Sequence, residues 1–425
     1  MANILIVSGS YFPYASANAI CMKEFEKALV ERGDRVVYAI KKHDIDTPEI
    51  TMEGDIKIYH VGRNVDLFFA ECEKIKRMDL PQPIDVLFRS SLIGIKVVST
   101  LYSKLKYGTL RKLAENKYLE CYENTISKIV ETEGIDTIIS VSMPFLSHKA
   151  VMRYVEKSEK RDIKWIAYMI DAYSQKYGVN DEEKIKEELE VMRLADKIIF
   201  LSVLKESYEK EPFSTYRDKF SFIPLPLLNF KTKKEEKMNI YMDTNKINFV
   251  FAGTLYDDTS FLDYFVKFVN NVDSDKFVFH FMGKIYPRNK GLLEELREKC
   301  DAEIIIYGVQ PFEFAEKSIE QADIVLNFGN LSSNQIPSKI YNYIVKRKAI
   351  LTFYKIVEDP SLPMLEKYPL ALNIRETNKI EKKDVDKFQK FISNMLDKEV
   401  SIKELEEIYL GDTAKDVCEK FLKYI

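Results

Sequence analysis

Short apolar runs alternating with longer amphipathic stretches predict an α/β chain of two doubly wound parallel sheets facing across a cleft. Two further observations support this class. A hydrophilic break interrupts the pattern past its middle and the pattern then restarts, and strands of the second series end in glycine. In the first series the predicted strands are NILIVS (3–8), RVVYAI (35–40), TIISVS (137–142), KWIAYMI (164–170), KIIFLS (197–202) and FSFIPL (220–225). Between the first two lies ANAICMKEFEKALVERGD, with Ala19, Met22, Phe25, Leu29 and Val30 at helical spacing and Gly33 as the stop. The break, FKTKKEEKMNIYMDTNK, falls within a linker at 229–246 that separates an N-terminal domain, 1–228, from a C-terminal domain, 247–410. The second series reads INFVFAG (247–253), KFVFHFMG (276–283), EIIIYG (303–308), DIVLNFG (323–329) and AILTFY (349–354). Residues 411–425 are expected to form a helix that crosses back to the first domain.

A length of 425 residues accommodates two or three domains at roughly 100–200 residues each. The chain is 46% hydrophobic and 31% charged, an ordinary globular composition. Its 64 basic and 67 acidic side chains nearly cancel, so no global field recruits nucleic acid. Five scattered cysteines with no CxxC pair fit a reducing, cytoplasmic compartment and neither a zinc site nor a disulfide framework. The opening MANILIVSGSYF is not a basic region followed by a long apolar run, and no window holds about 18 uncharged apolar residues, so neither a leader nor a membrane span is predicted. Residues 86–113 break the alternation: Leu92, Ile93, Ile95, Val98, Leu101, Tyr102 and Leu105 mix with Arg89, Lys96, Lys104, Lys106, Arg111 and Lys112, without an acid. Two readings stand open, a basic amphipathic helix lying on the anionic inner face of a membrane and a helical insertion packed on the first domain.

Ligands of open parallel sheets bind beyond the carboxyl ends of the strands. Gly253, Gly283, Gly308 and Gly329 stand there, where glycine admits a positive φ or the close approach of a ligand. In NQIPSKIYNYIVKRKAI a helix is predicted to open on Pro337, Ser338 and Lys339; its free amides, hydroxyl and cation suit a diphosphate. Lys284, directly after Gly283, offers a second cation. In the first half, SGSYFPYASANAI has small residues and leads into a helix, but lacks the GxGxxG of a nicotinamide dinucleotide site. Asp171 ends the strand KWIAYMID, where it either orients or deprotonates a hydroxyl or caps the following turn. His148 is expected on a helix flank at the surface. Asp44 and Asp46 form a D-x-D within a hydrophilic run away from a strand end, so no metal site is predicted, and HExxH and Walker motifs are missing.

With these residues in hand the chain resembles the GT-B glycosyltransferases, especially the large family-four group of bacterial surface-polysaccharide enzymes. The resemblance rests on NILIVSGSYFPYASANAI, LVERGDRVVYAI, SMPFLSHKAV with WIAYMIDAY, RLADKIIFLS and FIPLPLL, then NFVFAGTL, FHFMGK, IIIYGVQPFEFAEKSIEQADIVLNFG and IPSKIYNYIVKRKAIL. It implies two Rossmann-like domains, the second binding a nucleoside-diphosphate sugar and the first a glycan or lipid-linked glycan acceptor, with no cofactor and no metal. By the same resemblance Asp171 and Lys339 are the catalytic candidates. Gly253, Thr254, Gly283, Lys284, Arg288, Gly308, Val309, Asn334, Pro337, Ser338 and Asn342 are assigned to the donor, with backbone at Gly308 and Val309 reading the nucleobase. Ser10, Tyr11, Ser16 and Asn18 are assigned to the acceptor. The family carries a glutamate pair, E-x7-E, where this chain has Asn334 and Asn342, and an arginine and lysine where it reads GTLYDDTSF. An amide still accepts a hydrogen bond but brings no charge, so Lys339, Lys284 or Arg288 must supply the cation. A sugar-nucleotide epimerase or hydrolase, or a non-catalytic subunit of the same fold, is the alternative.

Overall fold

A computed structural model describes residues 1–9, 11, 17–62, 111–142, 144–158, 162–175, 181–231, 242–257, 262–329, 331–395 and 398–425. The first sheet consists of β1 (Asn3–Ser8), β2 (Arg35–Lys41), β3 (Ile50–Glu53), β4 (Ile56–Val61), β5 (Thr137–Val141), β6 (Lys164–Met169), β7 (Lys197–Leu201) and β8 (Phe220–Ile223). Their order is β3-β4-β2-β1-β5-β6-β7-β8. The second holds β9 (Ile247–Ala252), β10 (Phe277–Met282), β11 (Glu303–Gly308), β12 (Ile324–Phe328), β13 (Ala349–Tyr354) and β14 (Ala371–Arg375), ordered β11-β10-β9-β12-β13-β14. All pairings are parallel except β3 with β4. The helices used below are α1 (Ala17–Arg32), α2 (Arg111–Glu133), α3 (Leu146–Lys157), α4 (Glu182–Leu194), α5 (Leu262–Val269), α6 (Pro287–Lys299), α7 (Phe312–Gln321), α8 (Lys339–Val345), α9 (Lys382–Met395) and α10 (Ala414–Leu422).

Every predicted strand forms, because continuous apolar runs are stable only where helices cover both faces of a sheet. The hairpin β3–β4 and the edge strand β14 escaped the pattern. ITMEGDIKIYHV alternates polar and apolar side chains, and Gly54 turns it at φ 57°, so it reads as a half-solvated edge instead of a buried run. The segment 86–113 lies outside the described residues, apart from Arg111, Lys112 and Leu113 in the first turn of α2.

Strand alternation divides the second sheet cleanly. Phe249, Phe251, Phe279, Phe281, Phe328 and Phe353 face α5 and α9, where Phe265 meets Phe279 edge-on at 5.4 Å and Phe353 at 5.6 Å. Val250, Val325 and Ile350 face the other way and join Ile340 and Tyr341 of α8 in the apolar cluster that also contains the core of the first sheet. The last helix closes this arrangement: Phe421 of α10 stacks on Phe25 of α1 at 3.9 Å, and Ala414 N donates to Leu228 O at 2.9 Å.

Phe265→Ala would empty the centre of the phenylalanine layer. It is expected to cost about 3–5 kcal/mol, read as a lower urea midpoint at unchanged slope.

Candidate active site

In each sheet the strand order reverses beside the first strand, at β1/β5 and at β9/β12, and in open parallel sheets the ligand crevice lies beyond such strand ends. Past β9 and β10 the two chains remain sewn together. Gly253 N donates to Met282 O at 2.9 Å, Leu255 N to Lys284 O at 2.9 Å, and Tyr286 N to Leu255 O at 3.0 Å. Gly283, at φ 119°, is where they come closest; a Cβ there would stand 2.0 Å from Gly253 O. Only glycine fits both the dihedral and the gap. Gly253 and Gly308 also have positive φ, 150° and 70°. Gly329 has a different reason: a Cβ would stand 2.5 Å from Asp359 Oδ2 and 3.2 Å from Tyr354 Cα. Close approach therefore requires the glycine at 283 and at 329, whereas at 253 and 308 the positive φ favours it.

The helix of Lys339 differs from its prediction. It begins at Lys339 itself; Ser338 is the cap residue and makes no side-chain cap bond, and Pro337 stands one position earlier, its carbonyl accepting from Ile340 N at 3.1 Å. Lys339 is half-buried, its Nζ 4.1 Å from the Phe251 ring centroid and 4.0 Å from where a Gly253 Cβ would lie. Among the described residues it makes no ion pair, and burial pulls its pKa down to about 7. The crevice thus holds a cation next to strand-end backbone with no anion to match it. Lys284 is exposed, with Nζ 4.5 Å from the Tyr286 centroid, and also makes no ion pair among the described residues. Thr254 is half-buried between them.

Arg288 is paired within its own domain. Its guanidinium lies 2.6 Å from Asp263, so its charge is already matched. Asp257, from the acidic GTLYDD, accepts from the backbone N of Arg288 at 3.2 Å and of Asn289 at 3.0 Å. The positive end of α6 is therefore filled by a carboxylate of the chain itself.

The asparagines do not act as a pair. Asn334 donates from Nδ2 to the carbonyl of Gln175, in the first half, at 3.1 Å, and its Oδ1 accepts from the Ser332 hydroxyl. Asn342 donates to Glu316 Oε1 of α7 at 2.8 Å, and Lys346 lies 3.2 Å from the other oxygen. Glu316, which sequence reasoning missed, thus brings a carboxylate to the Asn342 position from a neighbouring helix. Val309 and Phe312, just beyond β11, are 76% and 53% exposed, an apolar lip on the same edge.

In the first half Asp171 follows β6 and is half-buried. Helix α4, farther along, is capped by Asp181, whose Oδ1 accepts from Lys184 N at 3.2 Å. The stretch from Asp171 to Gln175 is clamped onto α4. Tyr173 stacks on Phe145 at 4.0 Å and donates to Glu187 at 2.7 Å; the hydroxyls of Ser174 and Tyr208 both bond Glu188, the latter at 2.5 Å. Glu188 is fully buried, and desolvation lifts its pKa to about 7 against the pull of those hydrogen bonds. Tyr11 is a correction: it is 5% exposed, packed edge-on to Tyr38 at 4.7 Å, with its hydroxyl bonded by Lys23 at 2.7 Å. Asn18 bridges the switch point of the first sheet, donating to Ser142 O at 3.0 Å. Ser10 and Ser16 lie outside the described residues. His148 is not at the surface; it is buried against Ser140 Oγ at 2.7 Å, and desolvation holds it neutral with a pKa near about 3. Among the described residues no cluster of acids, histidines and cysteines could hold a metal, and no helix is long and apolar enough to cross a membrane.

The scan against protein-family models and the search of curated proteins give no match. Solved structures are similar over the whole chain. Sucrose-phosphate synthase from Thermosynechococcus elongatus superposes with TM-score 0.65 at 12% identity, covering 100% of this chain and 98% of its own. A variant of S. aureus TarM, in complex with fondaparinux, alpha-GlcNAc-glycerol and UDP, gives 0.59 at 12%, covering 100% and 99%. UDP-GlcNAc 2-epimerase from Methanocaldococcus jannaschii gives 0.52 at 11%, covering 99% and 98%. The chain has the GT-B fold. A synthase and an epimerase share it, so the fold alone does not choose between reactions.

Gly283→Ala would push a methyl into the Gly253 carbonyl, a backbone atom that cannot rotate away. A loss of about 2–4 kcal/mol is expected in chemical denaturation.

Proposed function

We propose that the chain transfers a sugar from a nucleoside-diphosphate sugar to a hydroxyl of a glycan or lipid-linked glycan in surface-polysaccharide synthesis, with retention at the anomeric carbon. The observation that carries this reading is the unmatched ammonium of Lys339 at the β9/β12 crevice. As the bond from the anomeric carbon to the diphosphate breaks, its electron pair moves onto the phosphate oxygen, and a fixed cation stabilises the growing charge. Lys339 fills that role with Lys284 beside it, and the step calls on no metal ion. The acceptor oxygen bonds the anomeric carbon and its proton passes to the departing phosphate, while Asp171 orients the acceptor hydroxyl. Gly308 and Val309 face the nucleobase, and Asn342 with Glu316 faces the nucleoside.

On this reading residues 1–228 hold the acceptor and 247–410 the donor, joined through 229–246. The protein acts in the cytoplasm, and the basic run 86–113 brings it to the anionic inner surface of the membrane, where a lipid-linked acceptor resides. An epimerase or hydrolase on the same fold would instead consume the donor with no acceptor present, and a non-catalytic subunit would bind no nucleotide sugar at all.

The titration of Lys339 supplies the test. Below about pH 7 the ammonium is already charged; above it, donor binding must take up a proton, so affinity falls by up to about tenfold per pH unit. Calorimetric titration with UDP- and GDP-sugars from about pH 6 to about pH 9 reads this slope. Lys339→Arg stays charged throughout and flattens it, and Lys339→Ala lowers kcat/KM about 100-fold. A wild-type affinity that is flat with pH removes Lys339 from the diphosphate.

A further inference from the structure

Asn334 and Gln175 belong to opposite halves of the molecule, and the Asn334 side chain joins them directly. We propose that Asn334 is an interdomain latch, a positioning residue whose amide holds the Asp171–Gln175 strap against the crevice of Lys339. The latch exists whether or not the chain transfers sugars; only its consequence for turnover rests on that reading.

The chemistry of the contact requires a donor. A backbone carbonyl can only accept, so whatever faces Gln175 O must donate. Asn334 presents Nδ2 to it at 3.1 Å, while Oδ1 is occupied by the Ser332 hydroxyl. This network fixes the amide's orientation, since a flip would set carbonyl against carbonyl. A carboxylate at position 334 would place two acceptors in contact.

The partner is stiff. The strap is held through the Tyr173 ring on Phe145, the Tyr173 hydroxyl on Glu187 and the Ser174 hydroxyl on Glu188, all on elements of the first half. Rotation of the second half therefore breaks the Asn334 bond before it drags the strap along. Four residues along the strap from Gln175 stands Asp171, and five residues beyond Asn334 stands Lys339. The latch thus couples the two groups assigned to opposite sides of the reaction.

Fluorophores attached through unnatural amino acids at exposed Lys210 and Lys290, on the two halves, report closure by energy transfer in the full chain. In Asn334→Asp at about pH 8 the ratio of closed to open molecules is expected to fall about tenfold. On acidification toward about pH 4 the protonated carboxyl regains a donor and closure returns. Asn334→Ala should open to a smaller extent and stay open at both pH values. Asp171, Glu187, Glu188 and Lys339 are the ionisable groups flanking the contact and are present in every variant, so the alanine protein subtracts their effect. With donor and acceptor present, the aspartate variant should lose kcat at nearly unchanged donor KM, and recover on acidification. Energy transfer in Asn334→Asp equal to wild type at about pH 8 overturns the latch, as does opening that persists when the carboxyl is protonated. Closure that follows these variants in a protein that turns over no nucleotide sugar would leave the latch standing and overturn the transferase reading.

Discussion

The crevice depends on how β9 ends. At the switch point it is paired to β10 through Ala252 but to β12 only at Phe249 and Val250, and its continuation leaves the sheet alongside that of β10. The two backbones pass so close that no side chain fits at Gly283. This bare backbone keeps bulk away from the mouth, and the ring of Phe251, one turn of the pleat below, supplies the face over which Lys339 lies. A cation on an aromatic face loses water without gaining a full counter-charge, which is why burial lowers its pKa instead of an ion pair raising it.

Three acids of the second half are engaged with other partners. Asp257 caps α6, Asp263 holds Arg288, and Glu316 is shared between Asn342 and Lys346. Glutamates at 334 and 342 would add two negative charges to the same edge. With amides there, those two positions add no charge of their own.

Most of the fold was legible because its strands are buried on both faces and write themselves as unbroken apolar runs. The strands that were not legible are β14, at a sheet edge, and the hairpin of the edge strand β3 with β4 beside it, where polar and apolar residues alternate instead of forming an unbroken run. Strand-end glycines were legible as a group, but not their cause: Gly283 answers to a neighbouring backbone and Gly329 to Asp359. Side-chain roles were less readable because partners far apart in sequence decide them. Nothing near Arg288 announces Asp263, nothing near Asn342 announces Glu316, and Tyr11 reads as a loop residue until Tyr38 and Lys23 enclose it. His148 went wrong through charge: a histidine on a helix suggests solvent, whereas a neutral imidazole beside Ser140 is stable in a core.

Two groups on facing halves shift in opposite directions to the same place. Glu188 has a folded pKa raised to about 7, so its neutral form adds stability at low pH that is lost as pH rises through that value. Lys339 has a folded pKa lowered to about 7, so the folded state gains stability as pH rises from there toward the ordinary lysine value of about 10.4. With nothing bound, these two groups make the protein least stable near neutrality, where one has lost its proton and the other still keeps its own. On the proposed reading, a diphosphate beside Lys339 would pair with the charged lysine and offset its desolvation, reversing that half of the balance.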